Sequence, residues 1–208
     1  MKCYVINLDR RADRLKRFTD TFNTYFEIIK ESAVDNKELV ITPELKNRIS
    51  EWNFKYIPHK VPNIVATCLS HINVWKKISM LDDPYVFVFE DDCTFINNDV
   101  KTNFLEYFNS LKIPEDFGIL WLNGNIQDTP GKEIILQFIV KLYTEDNTAE
   151  SYIVTPSFAK ELINAIENDM GAVDQHMKLY TQKTTNKSFR VFPPFFCQYD
   201  RKDTDIQV

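Results

Sequence analysis

Tyr85-Val86-Phe87-Val88-Phe89 is five consecutive apolar residues, each β-branched or aromatic, running directly into Glu90-Asp91-Asp92. A strand with no polar alternation needs cover on both faces, the environment of a sheet packed between helices. Two carboxylates spaced two apart on an extended chain point the same way, so Glu90 and Asp92 can face one point at the end of that strand. Such a pair suits a hard divalent cation, Mn²⁺ or Mg²⁺, and ligands of open α/β sheets sit beyond the carboxyl ends of the strands. An acidic loop that caps a buried strand, its side chains in water, fits the same residues equally well.

Around this strand the chain alternates β-rich runs with amphipathic ones, which predicts an α/β fold with a largely parallel sheet. Cys3 to Leu8 is the first predicted strand. Arg10 to Phe22 follows as a helix, with Leu15, Phe18 and Phe22 on one face, and Phe26 to Ile29 is the second strand. Lys37 to Pro62 is polar and mixed, with a short helix after Thr42-Pro43. A helix over Thr67 to Leu81 carries the stripe Cys68, Ile72, Trp75 and Ile78, and Asp82-Asp83-Pro84 ends it. Val100 to Leu111 is a helix, and Phe117 to Leu122 a buried strand opening into the turn Asn123-Gly124-Asn125. Strands are predicted over Ile134 to Tyr143, Glu150 to Val154 and Ser188 to Phe192, with a helix from Thr155-Pro156 to about Glu167. No repeat or linker divides the chain, so the 208 residues form one domain.

Several function classes are disfavoured by composition. With 4 glycines and neither GxGxxG nor a Walker motif, a glycine-rich phosphate loop is not expected. A net charge of −5 gives no broad attraction for nucleic acid. The apolar start Met1 to Leu8 is too short for a signal peptide or a membrane span, and no later stretch is long enough to cross a bilayer, so a cytoplasmic location is expected. Cys3, Cys68, Cys93 and Cys197 are scattered among apolar neighbours, with the spacing of buried free thiols. The sequon Asn186-Lys187-Ser188 is then a chance triplet.

Three further segments can carry chemistry. In Asn7-Leu8-Asp9-Arg10-Arg11-Ala12-Asp13-Arg14 a strand turns into a helix, whose free N–H groups and arginines can hold a phosphate. A solvated helix with Arg/Asp pairs is the alternative. In Thr67-Cys68-Leu69-Ser70-His71 the histidine lies on the apolar side of its helix, where a hydrogen-bonded core role competes with a functional one. In Ala172-Val173-Asp174-Gln175-His176 a carboxylate and an imidazole could supply a general base or a metal ligand, or Asp174 could cap a short helix.

In order, these segments resemble glycosyltransferase family 25, which includes lipopolysaccharide and collagen galactosyltransferases. The resemblance rests on Tyr4-Val5-Ile6-Asn7-Leu8-Asp9-Arg10-Arg11 with Arg14, on Ala33-Val34-Asp35, and on Cys68-Leu69-Ser70-His71-Ile72 with Trp75. It continues through Phe89-Glu90-Asp91-Asp92, then Ser151 to Val154 with Ala159-Lys160-Glu161-Leu162, and ends at Val173-Asp174. The family usually has Asp-Gly at Asp35-Asn36, where Asn36 can still occupy a left-handed turn. It also usually has a glycine where this chain has Val65-Ala66-Thr67.

What the resemblance implies is a GT-A type, Rossmann-like domain that takes a UDP-linked sugar donor and inverts the anomeric carbon. Its acceptor would be a glycan or a protein. Glu90, Asp92 and His176 would be metal ligands, and Asn7, Leu8, Asp9, Arg10, Arg14, Asp35, Ser70, His71 and Asp91 would shape the donor site. Asp174 would be the base and Asp92 the catalytic metal-binding carboxylate. A degenerate member that binds a nucleotide sugar without transferring it is the alternative.

Overall fold

The computed structural model describes residues 1–124, 138–142, 149–184 and 187–199. Its centre is a seven-stranded sheet. In sequence these strands are β1 (Lys2–Asn7), β2 (Glu27–Ser32), β3 (Val86–Glu90), β5 (Ile119–Trp121), β6 (Ile139–Leu142), β7 (Ser151–Val154) and β8 (Ser188–Phe192). They lie in the order β2-β1-β3-β7-β5-β8-β6. β1 pairs in parallel with both β2 and β3, and β5 with β8, whereas β7 is antiparallel to β3 and β5 and β6 is antiparallel to β8. Five strands therefore share one direction, as expected of a largely parallel sheet, and β7 is inserted against them. Short strands β4 (Cys93–Phe95) and β9 (Phe196–Gln198) form an antiparallel ribbon.

Alternation along each strand divides the core into two layers. Tyr4 and Ile6 of β1, Val86 and Val88 of β3 and Tyr152 of β7 face α4 (Val61–Ile78) and α6 (Pro156–Ile166). Cys3, Val5, Phe87 and Phe89 face the other way, against α1 (Ala12–Phe22) and α5 (Asn98–Ser110), in a layer dominated by phenylalanine. Phe22, Phe26 and Phe104 pack there at tilted and edge-on angles, the geometry that ring quadrupoles favour. Burying such rings contributes roughly 1.5–3 kcal/mol each.

Most expected elements are present with shifted ends. The stripe of Cys68, Ile72, Trp75 and Ile78 is buried as predicted, but α4 starts at Val61 rather than Thr67. Pro62 lies in the first turn, where its missing N–H has no intrahelical partner to lose, so it does not break the helix. The short helix α2 (Pro43–Lys46) is capped by Thr42, whose Oγ1 accepts from the Leu45 N–H. A further helix, α3 (Glu51–Tyr56), lies in the stretch read as mixed and polar. The strand expected over Ile134 to Tyr143 is present as β6 after the buried Phe138, and its other positions, like Asn125 of the turn and Asn186 of the sequon, lie outside the described residues. All four cysteines are buried thiols, and burial pushes those of Cys3 and Cys68 up to about 12. Among the described residues no helix is long and apolar enough to cross a membrane.

Candidate active site

β1 and β3 are parallel neighbours, so Asn7 and Glu90 end at the same edge of the sheet. A cleft opens there, lined among others by Leu8, Arg14, Ser70, His71, Asp91 and Asp92. The three acidic residues that follow Phe89 reach it in different ways, because the chain turns at Asp91-Asp92.

Asp91 is committed to the protein. Its Oδ2 accepts from Asn7 Nδ2 at 2.6 Å and its Oδ1 from Arg14 Nη1 at 2.8 Å, all three residues being buried. Asp92 has one satisfied oxygen: Oδ2 accepts from Gln198 Nε2 at 2.7 Å and lies 3.9 Å from Arg14. Its Oδ1 is buried with no hydrogen-bond partner among the described residues. Glu90 stands farther out, its side chain 19% exposed and Oε1 3.3 Å from His71 Nε2. Burial, reinforced by the charges of Asp91 and Asp174, raises the Glu90 carboxyl to about 7. Burial and the nearby Glu90 raise Asp92 to about 6, against the pull of Gln198 and Arg14. Two carboxylates with raised pKa values, one with an orphaned oxygen, form a site short of positive charge.

The strand-to-helix segment divides between structure and surface. Arg14 is only 6% exposed and forms an ion pair with Asp91, so it supports the carboxylates from beneath. Arg10 is more accessible and donates from Nε to Asp35 Oδ2 at 2.6 Å, linking two residues expected at the donor site. Asp9 lies at the surface, paired with Lys30 and accepting from Ser32 Oγ at 2.9 Å. Asp35 also accepts from the Lys37 N–H at 3.0 Å. The left-handed turn open to Asn36 is not used, since no described non-glycine residue has positive φ. Asn36 instead donates its amide to Asn63 Oδ1.

Ser70 and His71 face inward from α4. Ser70 Oγ accepts from the Val34 N–H at 2.9 Å and donates to the Ala66 carbonyl at 2.7 Å, fixing the loop at the cleft wall. His71 is fully buried, and burial lowers its pKa to about 4 even though Asp174 pulls the other way. It is neutral at physiological pH.

Helix α7 (Val173–Thr184) brings up the last segment. Asp174 lies in its first turn rather than at the cap, because the helix begins one residue earlier, and it still complements the helix dipole there. Its charge acts on both His71 and Glu90. His176 is not among the residues that line the cleft with Asp92. It lines a separate cavity with Trp52, Asn53 and Asp169, and its ring packs so closely on Gly171 that a Cβ there would come within 2.2 Å of Nε2. Among the described residues, no group of three or more His, Cys, Asp or Glu side chains is placed to hold a metal ion. Glu90 and Asp92 remain a fit for a cation such as Mg²⁺ or Mn²⁺, which usually takes only one or two protein carboxylates and fills its other positions with water and substrate phosphate.

Gln198, Asn63 and Tyr152 are the contributors that local patterns do not reveal. Gln198 reaches Asp92 through the β4–β9 register, which pairs it with Cys93. Tyr152 lies within one of the matched segments, yet only the antiparallel insertion of β7 beside β3 brings it to His71.

Comparison with known proteins gives the chain a family. A mosquito protein (Anopheles gambiae) described as a glycosyltransferase 25 family member is 28% identical over 102 residues, covering 44% of this chain. The chain spans 16% of that relative's length. Among solved structures, the galactosyltransferase LgtC in complex with donor and acceptor sugar analogues superimposes with a TM-score of 0.44 at 7% identity, covering 91% of this chain and 73% of that one. Mouse xyloside xylosyltransferase 1 gives a TM-score of 0.40 at 7% identity, covering 90% and 70%. The decisive match is to the family model for glycosyltransferase family 25 (LPS biosynthesis protein), which extends over residues 1–177 and takes in every segment from the first strand to Asp174. With so much of its length matched, the chain belongs to glycosyltransferase family 25.

Proposed function

We propose that this domain, of GT-A type, is an inverting hexosyltransferase that needs Mn²⁺ or Mg²⁺. It moves galactose or glucose from a UDP-sugar to a hydroxyl of a glycan or protein acceptor. The observation that carries the proposal is the buried Oδ1 of Asp92, without a hydrogen-bond partner among the described residues, beside Glu90 in a cleft at the carboxyl ends of β1 and β3. Glu90 and Asp92 would hold the cation, which would neutralise charge on the departing diphosphate.

The chain's own residues supply the rest. Arg10 and the α1 amino terminus hold diphosphate oxygens, and Asn7, Leu8, Asp9, Asp35 and Ser70 shape the nucleotide pocket. The acceptor oxygen bonds to the anomeric carbon as the bond from that carbon to the phosphate oxygen breaks, and UDP leaves with the electron pair. Asp174 takes the acceptor's hydroxyl proton. Attack from the face opposite the leaving group inverts the configuration.

A thermal-shift panel of nucleotide sugars, with and without Mn²⁺, tests this reading. A bound donor at about a hundred times its Kd adds roughly 2.7 kcal/mol of stability. Stabilisation by UDP-sugars that requires Mn²⁺, with UDP released only when acceptor is added, is the expected outcome. A panel with no shift sinks the proposal, and a shift with no UDP release under any acceptor identifies a binder that does not transfer.

A further inference from the structure

Four buried or nearly buried groups form a single line ending at the cleft. Trp75 Nε1 donates to Tyr152 Oη at 2.9 Å. Tyr152 Oη lies 2.8 Å from His71 Nδ1, and His71 Nε2 lies 3.3 Å from Glu90 Oε1. His71 and Trp75 are one helical turn apart on α4, so both meet the tyrosine that β7 presents between them.

The direction of the line follows from donor and acceptor chemistry. An indole N–H can only donate, so the Tyr152 oxygen accepts from Trp75. Tyr152 then has one proton to place, and among the described residues the other partner of its hydroxyl is His71 Nδ1. Were Nδ1 itself protonated, the tyrosine proton would be left unpaired between two fully buried side chains, an arrangement that folded proteins strongly disfavour. Nδ1 therefore accepts, the single proton of the neutral ring sits on Nε2, and Nε2–H points at Glu90.

We infer that Trp75, Tyr152 and His71 form a one-way hydrogen-bond relay that fixes the Nε2–H tautomer of His71 and through it the orientation of the Glu90 carboxylate. The three are positioning residues, and none needs to touch the substrate. His71 thereby takes a different part from the donor contact that the resemblance implies. Because Nε2–H occupies Oε1, Oε2 is the oxygen left to face the cleft. The tautomer is a property of the polypeptide alone; its consequence for turnover rests on the proposed transfer reaction.

The test is ¹⁵N NMR of histidine-labelled, metal-free protein. His71 is assigned by the signal lost in His71→Asn, which distinguishes it from the other two of the 3 histidines, His59 and His176. The wild type is expected to show a protonated, pyrrole-type Nε2 and a pyridine-type Nδ1. Tyr152→Phe removes the donor to Nδ1 with little change of shape, and the proton should redistribute towards Nδ1. Trp75→Phe, which frees the tyrosine to rotate, should give a mixture and serves if the first variant fails to fold. A protonated Nδ1 in the wild type, or an unchanged tautomer in whichever variants fold, overturns the relay. With an acceptor assay in hand, Tyr152→Phe should lower kcat by about 10–100-fold, the usual effect of losing a group that orients a ligand, with little change in donor KM. Correct tautomers in a protein that turns over no nucleotide sugar would retain the relay and reject the proposed function.

Discussion

Asp92 and Gln198 meet where the β4–β9 ribbon closes over the end of β3, with Nε2 of the amide donating to Oδ2 of the carboxylate at 2.7 Å. The bond satisfies one oxygen and leaves the other, Oδ1, buried and without a partner among the described residues. A neutral amide cannot neutralise the carboxylate's charge, and the carboxyl pKa is raised to about 6. A site held this way is costly to the free protein and favourable to a cation.

Asp92→Asn should therefore separate stability from function. The amide has the shape of the carboxylate without its charge, so the metal-free variant is expected to melt no lower than the wild type at neutral pH. Its Mn²⁺-dependent stabilisation by UDP-sugar should disappear. Melting curves with and without Mn²⁺ and UDP measure both effects, and a variant that retains the wild-type metal response removes Asp92 from the ligand set.

Arg10, just ahead of α1, and Arg14, in its first turn, should behave in opposite ways. Arg14 and Asp91 are 6% and 7% exposed, and Arg14→Ala leaves a buried carboxylate without its cation. Breaking a buried pair from one side costs about 3–5 kcal/mol. Arg10→Ala removes a surface pair worth at most about 1 kcal/mol to stability. If Arg10 contacts the diphosphate, its loss should cost about 1.5–3 kcal/mol of UDP affinity. Denaturant melts and UDP titration of both variants measure the contrast. Equal loss of stability in the two, or unchanged UDP affinity in Arg10→Ala, would contradict it.

Glu90 gives the metal-free protein a pH dependence of definite sign. Its carboxyl is raised to about 7 in the fold from an ordinary 4.5, so the folded chain binds the proton more tightly than the unfolded chain does. Stability at this site is greatest below pH 4.5 and falls as pH rises through 7. Glu90→Gln cannot ionise there. The stability of wild type relative to this variant should drop between about pH 5 and 8, and adding Mn²⁺ with UDP should reverse the drop. A difference that stays flat across that range argues against a raised Glu90.

The architecture was largely legible because alternation and apolar runs report burial directly. Phe87 and Phe89 fall on one layer and Val86 and Val88 on the other, as a strand covered on both faces requires. The direction of β7 was not legible, since Ser151–Val154 has the same apolar character whichever way it runs. The carboxylates could be located at a strand end, but their partners depend on register and on residues far along the chain. Asp91 belongs to Arg14 and Asn7, and Asp92 to Gln198, 106 residues later. His176 shows the limit of spacing arguments. One residue separates it from Asp174, yet on a helix that spacing turns two side chains to different sides: the charge of Asp174 acts on Glu90, and His176 lines a separate cavity.

Asp174 is the proposed base, and one substitution distinguishes its possible roles. It lies in the first turn of α7, and its charge acts on Glu90 and His71 across the cleft wall. An alcohol is a poor nucleophile until its proton is accepted in the transition state, and a positioned base contributes about 10²–10⁴-fold in rate. Asp174→Asn keeps the shape and removes the basicity, so kcat should fall by that order while donor affinity holds. Loss of its favourable position near the helix amino terminus alone would cost about 0.3–1 kcal/mol of stability with no specific effect on rate. A metal ligand would instead weaken Mn²⁺ and UDP-sugar binding together. Because Asp174 raises Glu90, the variant should also lower the Glu90 carboxyl, moving any pH dependence of metal binding to more acidic values. Rate, metal affinity and melting temperature measured on this variant therefore separate base, ligand and dipole partner, and near-normal turnover rules Asp174 out as the base.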